Sequence, residues 1–541
     1  MKWKRFSSIV AAGLLFVASS ARTEELTEDF HEPKNIVFAG LLGESSHVGW
    51  VLMIMDELAK RGHRITFLTK DDHVRFGQKY PTIETISTGP PTQSTLNLVA
   101  NTTRNTIVKL SQRNLDDWIN KYPYEYTAHR DTFKKINADV VICDHTNVAC
   151  VDVAYTEKIP FIVTCTAAIT SDASAPYVYE NTFMGTDPTT LSESFLTRFD
   201  NAFIKPLQTL WSIYDRLAKL AEQKSTMGVK MESPQIDLLW KDSVKLVNNL
   251  FGFETARALG PLVELVGPII PRIYDPLTDD LHRFLETHRR IAFVAFGKYG
   301  TPRTSDVTLI LTALLENIEK KVLDGFIWAN PSSPFPPSVT TSSNTTYVTK
   351  DILSGPNARL LKWVPQQAVL KHDSVTLFVS HGGITSLYES VFAGKRLIVF
   401  PFLCDQHANA ATVERNQLGA RFDPKTPQQT VTQLMRKVVV DEDGVFQDSV
   451  NRFKALVQIH SRSGIKRGAD LVEEVAFVSK NGKLPHRYEV SREMSFIKAR
   501  NLDLYAALFL ILVTPIVIAV KLVASIYSKN SKTVTHKAKT Q

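Results

Sequence analysis

Along most of this chain, short apolar runs rich in β-branched residues alternate with segments of helical periodicity, a pattern that few folds accommodate. Asn35 to Gly40 is one such run, ending in a Gly-containing loop. Val51, Leu52, Met55, Leu58 and Ala59 follow at helical spacing, Gly62 suits the helix C-terminus, and Arg64 to Leu68 is a second run, giving a βαβ unit. Asp139 to Cys143 and Pro160 to Val163 continue the series with a helix between them. A second series opens at Ile291 to Phe296 and a helix through Val307, Ile310, Leu311, Leu314 and Ile318. Phe326 to Ala329, Leu360 to Trp363, Val375 to Ser380, Arg396 to Phe400 and Ala420 to Asp423 follow as strands. Strands separated by helices pair in parallel, so the expected fold class is α/β, with two doubly wound, Rossmann-like domains. The Pro-rich stretch Gly260 to Pro276 is the linker candidate, and Ser332 to Thr346 reads as a surface loop. At ~100–200 residues per domain, 541 residues suit this arrangement.

The formal charge of +8 resides entirely in the two ends, in Lys2, Lys4 and Arg5 and in Lys521, Lys529, Lys532, Lys537 and Lys539. Residues 22–503 are formally neutral, which argues against nucleic-acid binding, because phosphate neutralisation needs clustered Lys and Arg. The basic start, the apolar run Ile9 to Ala18 and the small residues Ser19-Ser20-Ala21 have the layout of a cleaved signal peptide over 1–21. Leu504 to Val520 is apolar and uncharged, and Leu522 to Tyr527 extends it toward the ~20 residues of a membrane helix. Pro515 is tolerated in such a helix, and Lys521 snorkels toward the headgroups. The Lys residues beyond it mark the cytoplasmic side. The end, Lys537-Ala538-Lys539-Thr540-Gln541, resembles the Lys-x-Lys-x-x retrieval signal of endoplasmic-reticulum membrane proteins. The expected topology is single-pass type I in that membrane, with a luminal body. Asn101-Thr102-Thr103 and Asn344-Thr345-Thr346 are N-glycosylation sequons that suit such a body. Cys143, Cys150, Cys165 and Cys404 are too few for a disulfide scaffold and read as buried apolar residues.

The chemistry concentrates in Phe378-Val379-Ser380-His381-Gly382-Gly383-Ile384-Thr385-Ser386-Leu387-Tyr388-Glu389, which continues through Ala393-Gly394 and Pro401 to Asp405-Gln406. A buried strand ends at His381, two glycines allow close backbone approach, and a helix beginning near Ile384 offers free N–H groups to an anion. In open parallel sheets, ligands lie beyond the carboxyl ends of the strands. A diphosphate is therefore expected at His381–Ser386, with the His381 side chain and the Thr385 and Ser386 hydroxyls as further donors.

Together with the upstream Trp363-Val364-Pro365-Gln366, this pattern resembles the signature of the UDP-glycosyltransferases, including the UDP-glucuronosyltransferases. The resemblance is strongest over 358–423 and weakest over 170–250. It implies that Trp363 stacks on uracil, that Gln366 and Glu389 hold base and ribose, that His381 with Gly382 and Gly383 binds the diphosphate, and that Asp405 and Gln406 bind sugar hydroxyls. His47, in the loop after the first strand, matches the family's catalytic base, and Asp144, ending the Asp139–Cys143 strand, the carboxylate that orients it. His63 and His145 compete for the base role. Where the family has Gly-Ser after the strand Ile291–Phe296, this chain has Gly297-Lys298, with Lys298 a candidate phosphate contact.

The implied architecture is GT-B: an acceptor-binding α/β domain over 22–270 faces a UDP-sugar-binding domain over 271–485. A connecting helix over 486–503, a transmembrane helix over 504–526 and a cytoplasmic tail over 527–541 follow. The implied activity is inverting transfer of a hexosyl group from UDP-glucose or UDP-glucuronic acid to a hydroxyl of a small lipophilic acceptor. The UDP-sugar is then donor substrate; no cofactor is implied, and no acidic cluster in the motif demands a metal. Membrane lipid is a partner through the C-terminal helix, and oligomeric state is left open. A membrane-anchored, non-catalytic binding protein for nucleotide sugars or lipophilic ligands is the alternative, and an intracellular sterol or lipid glucosyltransferase a third reading. Residues 183–245 carry helical periodicity in Phe203, Leu207, Leu210, Trp211, Tyr214, Leu217 and Leu220. That suits a core helix pair, or an amphipathic helix against the membrane or an apolar acceptor site.

Overall fold

The computed structural model describes residues 29–40, 45–90, 107–168, 177–178, 189–230, 240–297, 300–329, 334–402 and 405–537. The expected signal peptide, Asn101, Lys298, Cys404 and the last four residues lie outside these.

Seven parallel strands form the first sheet, in the order β3-β2-β1-β4-β5-β6-β7. They are β1 (Asn35–Ala39), β2 (Arg64–Thr69), β3 (Ile83–Ser87), β4 (Val140–Asp144), β5 (Phe161–Cys165), β6 (Val244–Val247) and β7 (Val263–Leu265). Alternate residues of β1 feed two cores: Ile36 and Phe38 face one, Val37 and Ala39 the other, all fully buried. This two-sided burial is why the strands read as continuous apolar runs. β3, β6 and β7 were not legible as strands: β3 has only a part-buried pattern, and β7 sits inside the stretch expected to be linker.

The second sheet is also parallel, ordered β12-β9-β8-β13-β14-β15. Its strands are β8 (Ile291–Ala295), β9 (Gly325–Ala329), β12 (Ala358–Leu361), β13 (Val375–Ser380), β14 (Arg396–Val399) and β15 (Gly419–Arg421). A small hairpin, β10 (Ser338–Thr340) and β11 (Thr346–Val348), occupies most of the expected surface loop and carries Asn344 exposed at its tip. In both sheets the first strand lies between the second and the fourth of its own series. Each therefore reverses its winding there, between β1 and β4 and between β8 and β13, and leaves a crevice at the carboxyl edge.

Two excursions bind the halves. The loop after β6 sends Leu250 and Phe253 into the second half's core, where the Phe253 ring meets Tyr388 edge-on at 4.8 Å. In return, the helix Gly464–Val478 packs Leu471, Val472 and Val475 into the first half's core, against the helix Ser45–Lys60. Its Glu473 is buried and accepts from Arg61 (2.6 Å) and His63 Nε2 (3.0 Å). The segment expected to be one helix over 486–503 is instead two short 3-10 turns, Pro485–Arg487 and Val490–Glu493, and a single turn, Phe496–Ala499. A continuous helix, Leu502–Lys537, follows. Its Leu502–Tyr527 part is long and apolar enough to cross a membrane, and none of it is buried in the body.

The cysteine reading needs one correction. Cys143 and Cys150 form a disulfide, because the turn after β4 brings their Cα atoms to 5.8 Å. Both are buried, as is the free Cys165.

Glu473→Ala strands the buried His63, while Arg61 keeps Asp470 at 2.8 Å, so it should cost about 2 kcal/mol of stability. A lower thermal midpoint of the detergent-solubilised protein checks this; an unchanged midpoint would refute the clasp.

Candidate active site

His47 lies not in a loop but in the first turn of the helix Ser45–Lys60, immediately beyond β1. Asp144 is the last residue of β4, β1's neighbour across the first switch point. The two meet there: His47 Nδ1 donates to Asp144 Oδ2 at 2.9 Å. The other carboxylate oxygen accepts the Thr146 N–H at 2.9 Å and the Thr146 hydroxyl. Asp144 is 1 % exposed, and burial alone would raise its pKa. His47, His145 and Thr146 outweigh that and hold it at about 2. Burial also presses the His47 pKa down, but Asp144, with Asp405 from the other half, raises it above 6.5 overall.

Asn147 braces this turn. Its side chain accepts from Cys150 N and donates to Ala39 O and to His129 Nε2, joining β1, β4 and the helix Ile107–Ile136. Neither Asn147 nor Thr146 stood out in the sequence, because their partners are remote in the chain or in the backbone.

The rival histidines are placed differently. His63 sits at the amino edge of the sheet, where Nδ1 accepts the Lys34 N–H and Nε2 meets Glu473. His145 stacks on His47, with ring centroids 5.3 Å apart, but its Nδ1 is turned to Thr164 O and burial lowers its pKa. His47, Asp144 and His145 bring one potential metal-ligand atom each within 4.8 Å of one another. An ion there would compete with the Thr146, Thr164 and His47–Asp144 hydrogen bonds, so the donor set is better matched to proton chemistry.

The second switch point carries the other cluster. His381 follows β13, and Gly297 follows β8. Gly297 has φ +66°, and a Cβ there would lie 3.1 Å from the His381 ring. A Cβ on Gly383 would lie 2.4 Å from His381 Nε2. The imidazole thus lies between two glycines, a close approach that any side chain at 383 would block. Burial lowers the His381 pKa to about 4, against the opposing Ala295 carbonyl, so the ring is a neutral hydrogen-bonding group at pH 7. Thr385 and Ser386 lie in the first turn of the helix Ile384–Ala393, whose leading N–H groups face this crevice.

Glu389, one turn further on, accepts from the side chains of Gln366 and Gln367, the latter at 3.1 Å, and Gln366 also reaches Ser386 Oγ at 3.2 Å. Burial raises the Glu389 pKa, and the two amides act against it. Gln367 was missed, though adjacent to a named residue. Trp363 stands just beyond β12, 79 % exposed, with a ring face open to a ligand. Asp405 precedes the helix Gln406–Arg415 without capping it; its carboxylate accepts from Asn409 at 3.0 Å, and Asn409 also donates to Gly382 O. Burial raises the Asp405 pKa, while Asn409 and His47 favour its charged form. Gln406 is buried, and its Oε1 accepts from Phe402 N, so that atom anchors the preceding loop. Asn344 is remote from both clusters, on its hairpin.

Comparison with known proteins fits this geometry. The family model described as UDP-glucoronosyl and UDP-glucosyl transferase matches residues 41–539. A UDP-glycosyltransferase of Talaromyces amestolkiae is 27 % identical over 406 residues, 70 % of this chain and 74 % of that protein. UDP-glucuronosyltransferase 2B15 of Homo sapiens is 22 % identical over 534 residues, 90 % and 93 % of the two chains. The crystal structure of the kitacinnamycin glycosyltransferase superposes with a TM-score of 0.60 at 17 % identity, covering 82 % of this chain and all of that one. This last likeness carries the fold, GT-B.

His47 should react with diethyl pyrocarbonate along a pH profile whose midpoint lies above 6.5, since only the neutral ring is nucleophilic. Asp144→Asn removes the charge that supports the imidazolium, so the midpoint should move down. Mass-spectrometric rates at His47 check this; an unmoved midpoint would disprove the coupling.

Proposed function

The chain belongs to the UDP-glucoronosyl and UDP-glucosyl transferase family and is a UDP-glycosyltransferase; from that premise we propose that His47 is the general base of an inverting transfer. The observation that carries this is the His47 Nδ1–Asp144 Oδ2 bond at the first switch point, with Asp405 of the second half electrostatically coupled to the same ring. The bond fixes the tautomer: Nδ1 keeps its proton, and Nε2 is left to take one.

An acceptor hydroxyl gives its proton to Nε2 as its oxygen attacks the anomeric carbon. The bond to the diphosphate oxygen breaks on the opposite face, leaving UDP and a β-glycoside. The imidazolium that forms is stabilised by Asp144, already ionised at its depressed pKa. Charge developing on the leaving diphosphate meets the helix N-terminus at Ile384 and the neutral His381 ring. Trp363 supplies a face for uracil, Gln366 and Glu389 hold base and ribose, and Asp405 with Gln406 receives the sugar hydroxyls. Gly297, with Lys298 following it, stands on the phosphate side. No step calls for a cofactor or metal.

The donor is UDP-glucose or UDP-glucuronic acid, and the acceptor a small lipophilic alcohol or phenol. Leu502–Tyr527 spans the bilayer of the endoplasmic reticulum with the body luminal. The buried Cys143–Cys150 disulfide suits that oxidising side. Asn101 and Asn344 are then glycan acceptors.

Acceptor-dependent UDP release with each donor, and the anomeric configuration of the product by NMR, test the proposal. A retained α-configuration would overturn inversion. His47→Ala and Asp144→Asn should each lower kcat by roughly 100-fold or more. Wild-type kcat/KM should rise with pH through a limb above 6.5, as His47 loses its proton. Glu389→Ala should instead raise KM for the UDP-sugar about 10-fold or more, from the loss of two ribose hydrogen bonds to a charged group. Full activity in His47→Ala would end the mechanism.

A further inference from the structure

The turn that carries Asp144 is closed by a covalent bond. Cys143 is the penultimate residue of β4, a central strand, and stands opposite Ala39 of β1 on one side and Val163 of β5 on the other. Cys150 lies in the first turn of the helix Val148–Thr156. The disulfide joins them across a sequence separation of 7, and both residues are 0 % exposed. Between the two sulfurs stand Asp144, His145, Thr146 and Asn147. These are the carboxylate bonded to His47, the ring stacked on His47, the donor to the second carboxylate oxygen, and the brace to Ala39. The sulfurs themselves belong to the core, with Val141, Val163 and Tyr122. A fully buried bridge cannot touch an acceptor, so whatever it contributes to the reaction passes through Asp144.

The bridge supplies what the hydrogen bonds of the turn do not. Each of those exchanges for a bond to water at little net cost, and the turn borders a crevice where the His47 side chain is 24 % exposed. A disulfide does not exchange with water. It also ties the strand end to a helix that is moored elsewhere. Asp152, two residues beyond Cys150, is buried and accepts from the Tyr122 hydroxyl at 2.6 Å and from Lys224 Nζ at 2.8 Å. Those partners lie on the helices Ile107–Ile136 and Lys205–Thr226. Without the bridge, strand and moored helix are joined through the backbone of the turn and its hydrogen bonds alone. A misplacement of ~1 Å at a reacting group can cost about 100-fold in rate.

Cys165 supplies a contrast. It lies on β5 two residues beyond Val163, on the same face of the sheet and in the same core. Burial, and after it the charge of Asp144, pushes its thiol well above the ordinary range. It therefore does not form the thiolate that would attack the bridge. Three cysteines share one core, and the two that are joined are the two that span the Asp144 turn.

We propose that the Cys143–Cys150 bridge is a positioning pair for the transfer: it holds the Asp144 carboxylate on His47, so that the chain is fully active only once it is oxidised. The proposal rests on the reading of His47 as the base. Forming the bridge removes two electrons and two protons from the two thiols. A small disulfide such as glutathione disulfide receives them and leaves as two thiols.

The test compares Cys143→Ala/Cys150→Ala with Cys165→Ala in the detergent-solubilised full chain. Cys165→Ala removes a buried thiol from the same core and keeps the bridge. The double variant should lose about tenfold or more in kcat, with KM for the UDP-sugar unchanged, and Cys165→Ala should keep the wild-type kcat. The diethyl pyrocarbonate midpoint of His47 reads the same geometry without turnover. Asp144 from β4, His145 from the turn and Asp405 from the second half face that ring. Loosening Asp144 should move the midpoint down in the double variant. Wild-type kcat or an unmoved midpoint there would overturn the proposal, as would an equal loss of kcat in Cys165→Ala, which would mark core damage alone. If the double variant does not fold, wild-type chain synthesised under reducing conditions and then given glutathione disulfide replaces it. Its kcat per UDP-binding molecule should rise as the bridge forms, and a constant value would overturn the proposal. His47→Ala separates the two readings. Full activity there would remove the base and the bridge's role with it, whereas an inactive His47→Ala beside a fully active double variant would remove the bridge alone.

Discussion

Tyr388 donates its hydroxyl to Asn249, and much of the structure hangs on that buried contact between the halves. Asn249 belongs to the loop after β6 and also donates to Thr166 O and to Glu254, so it is fixed from the first half. Tyr388 precedes Glu389 on the helix whose N-terminus faces the second crevice. One short helix thus presents free N–H groups at its start and the Glu389 carboxylate one turn later. The same helix is held through Tyr388 to the half that carries His47. Two sites on separate sheets can act together only if their spacing is set, and this contact, Phe253 and the returning helix Gly464–Val478 set it from both directions.

The histidines show how environment divides labour among identical side chains. His47, His145 and His381 are all desolvated, and desolvation by itself keeps an imidazole neutral. His47 is hydrogen-bonded to a carboxylate, and of the three only its pKa ends above the ordinary imidazole value. His381 is left near 4, suited to hydrogen-bond a phosphate without exchanging protons with it. In the proposed mechanism, a base that must accept a proton and a ligand that must not are thereby distinguished by one neighbour.

Legibility in the sequence followed the range of the interactions. Most buried central strands declared themselves, because two-sided burial favours continuous apolar runs, but β6 did not, because Lys245 breaks its short run. β3 and β7, at the sheet edges, did not, since water tolerates mixed sequence there. His381, Gly382 and Gly383 were legible from local geometry: a strand end, a turn and a helix start are neighbours in the chain. His47 and Asp144 are 97 residues apart, and without a family resemblance nothing marks them as partners. Asn147 was hidden in the same way, since its partner Ala39 lies 108 residues away, and the Cys143–Cys150 bridge was obscured by a spacing typical of no motif.

The charge distribution makes a last connection between sequence and function. A body that is neutral overall cannot gather an anionic donor by its net field, so in the proposed mechanism donor recognition falls to oriented dipoles: a helix N-terminus, a neutral imidazole, side-chain amides. Those need exact placement, and the second half supplies it with a closely packed sheet whose glycines admit the His381 ring and little else.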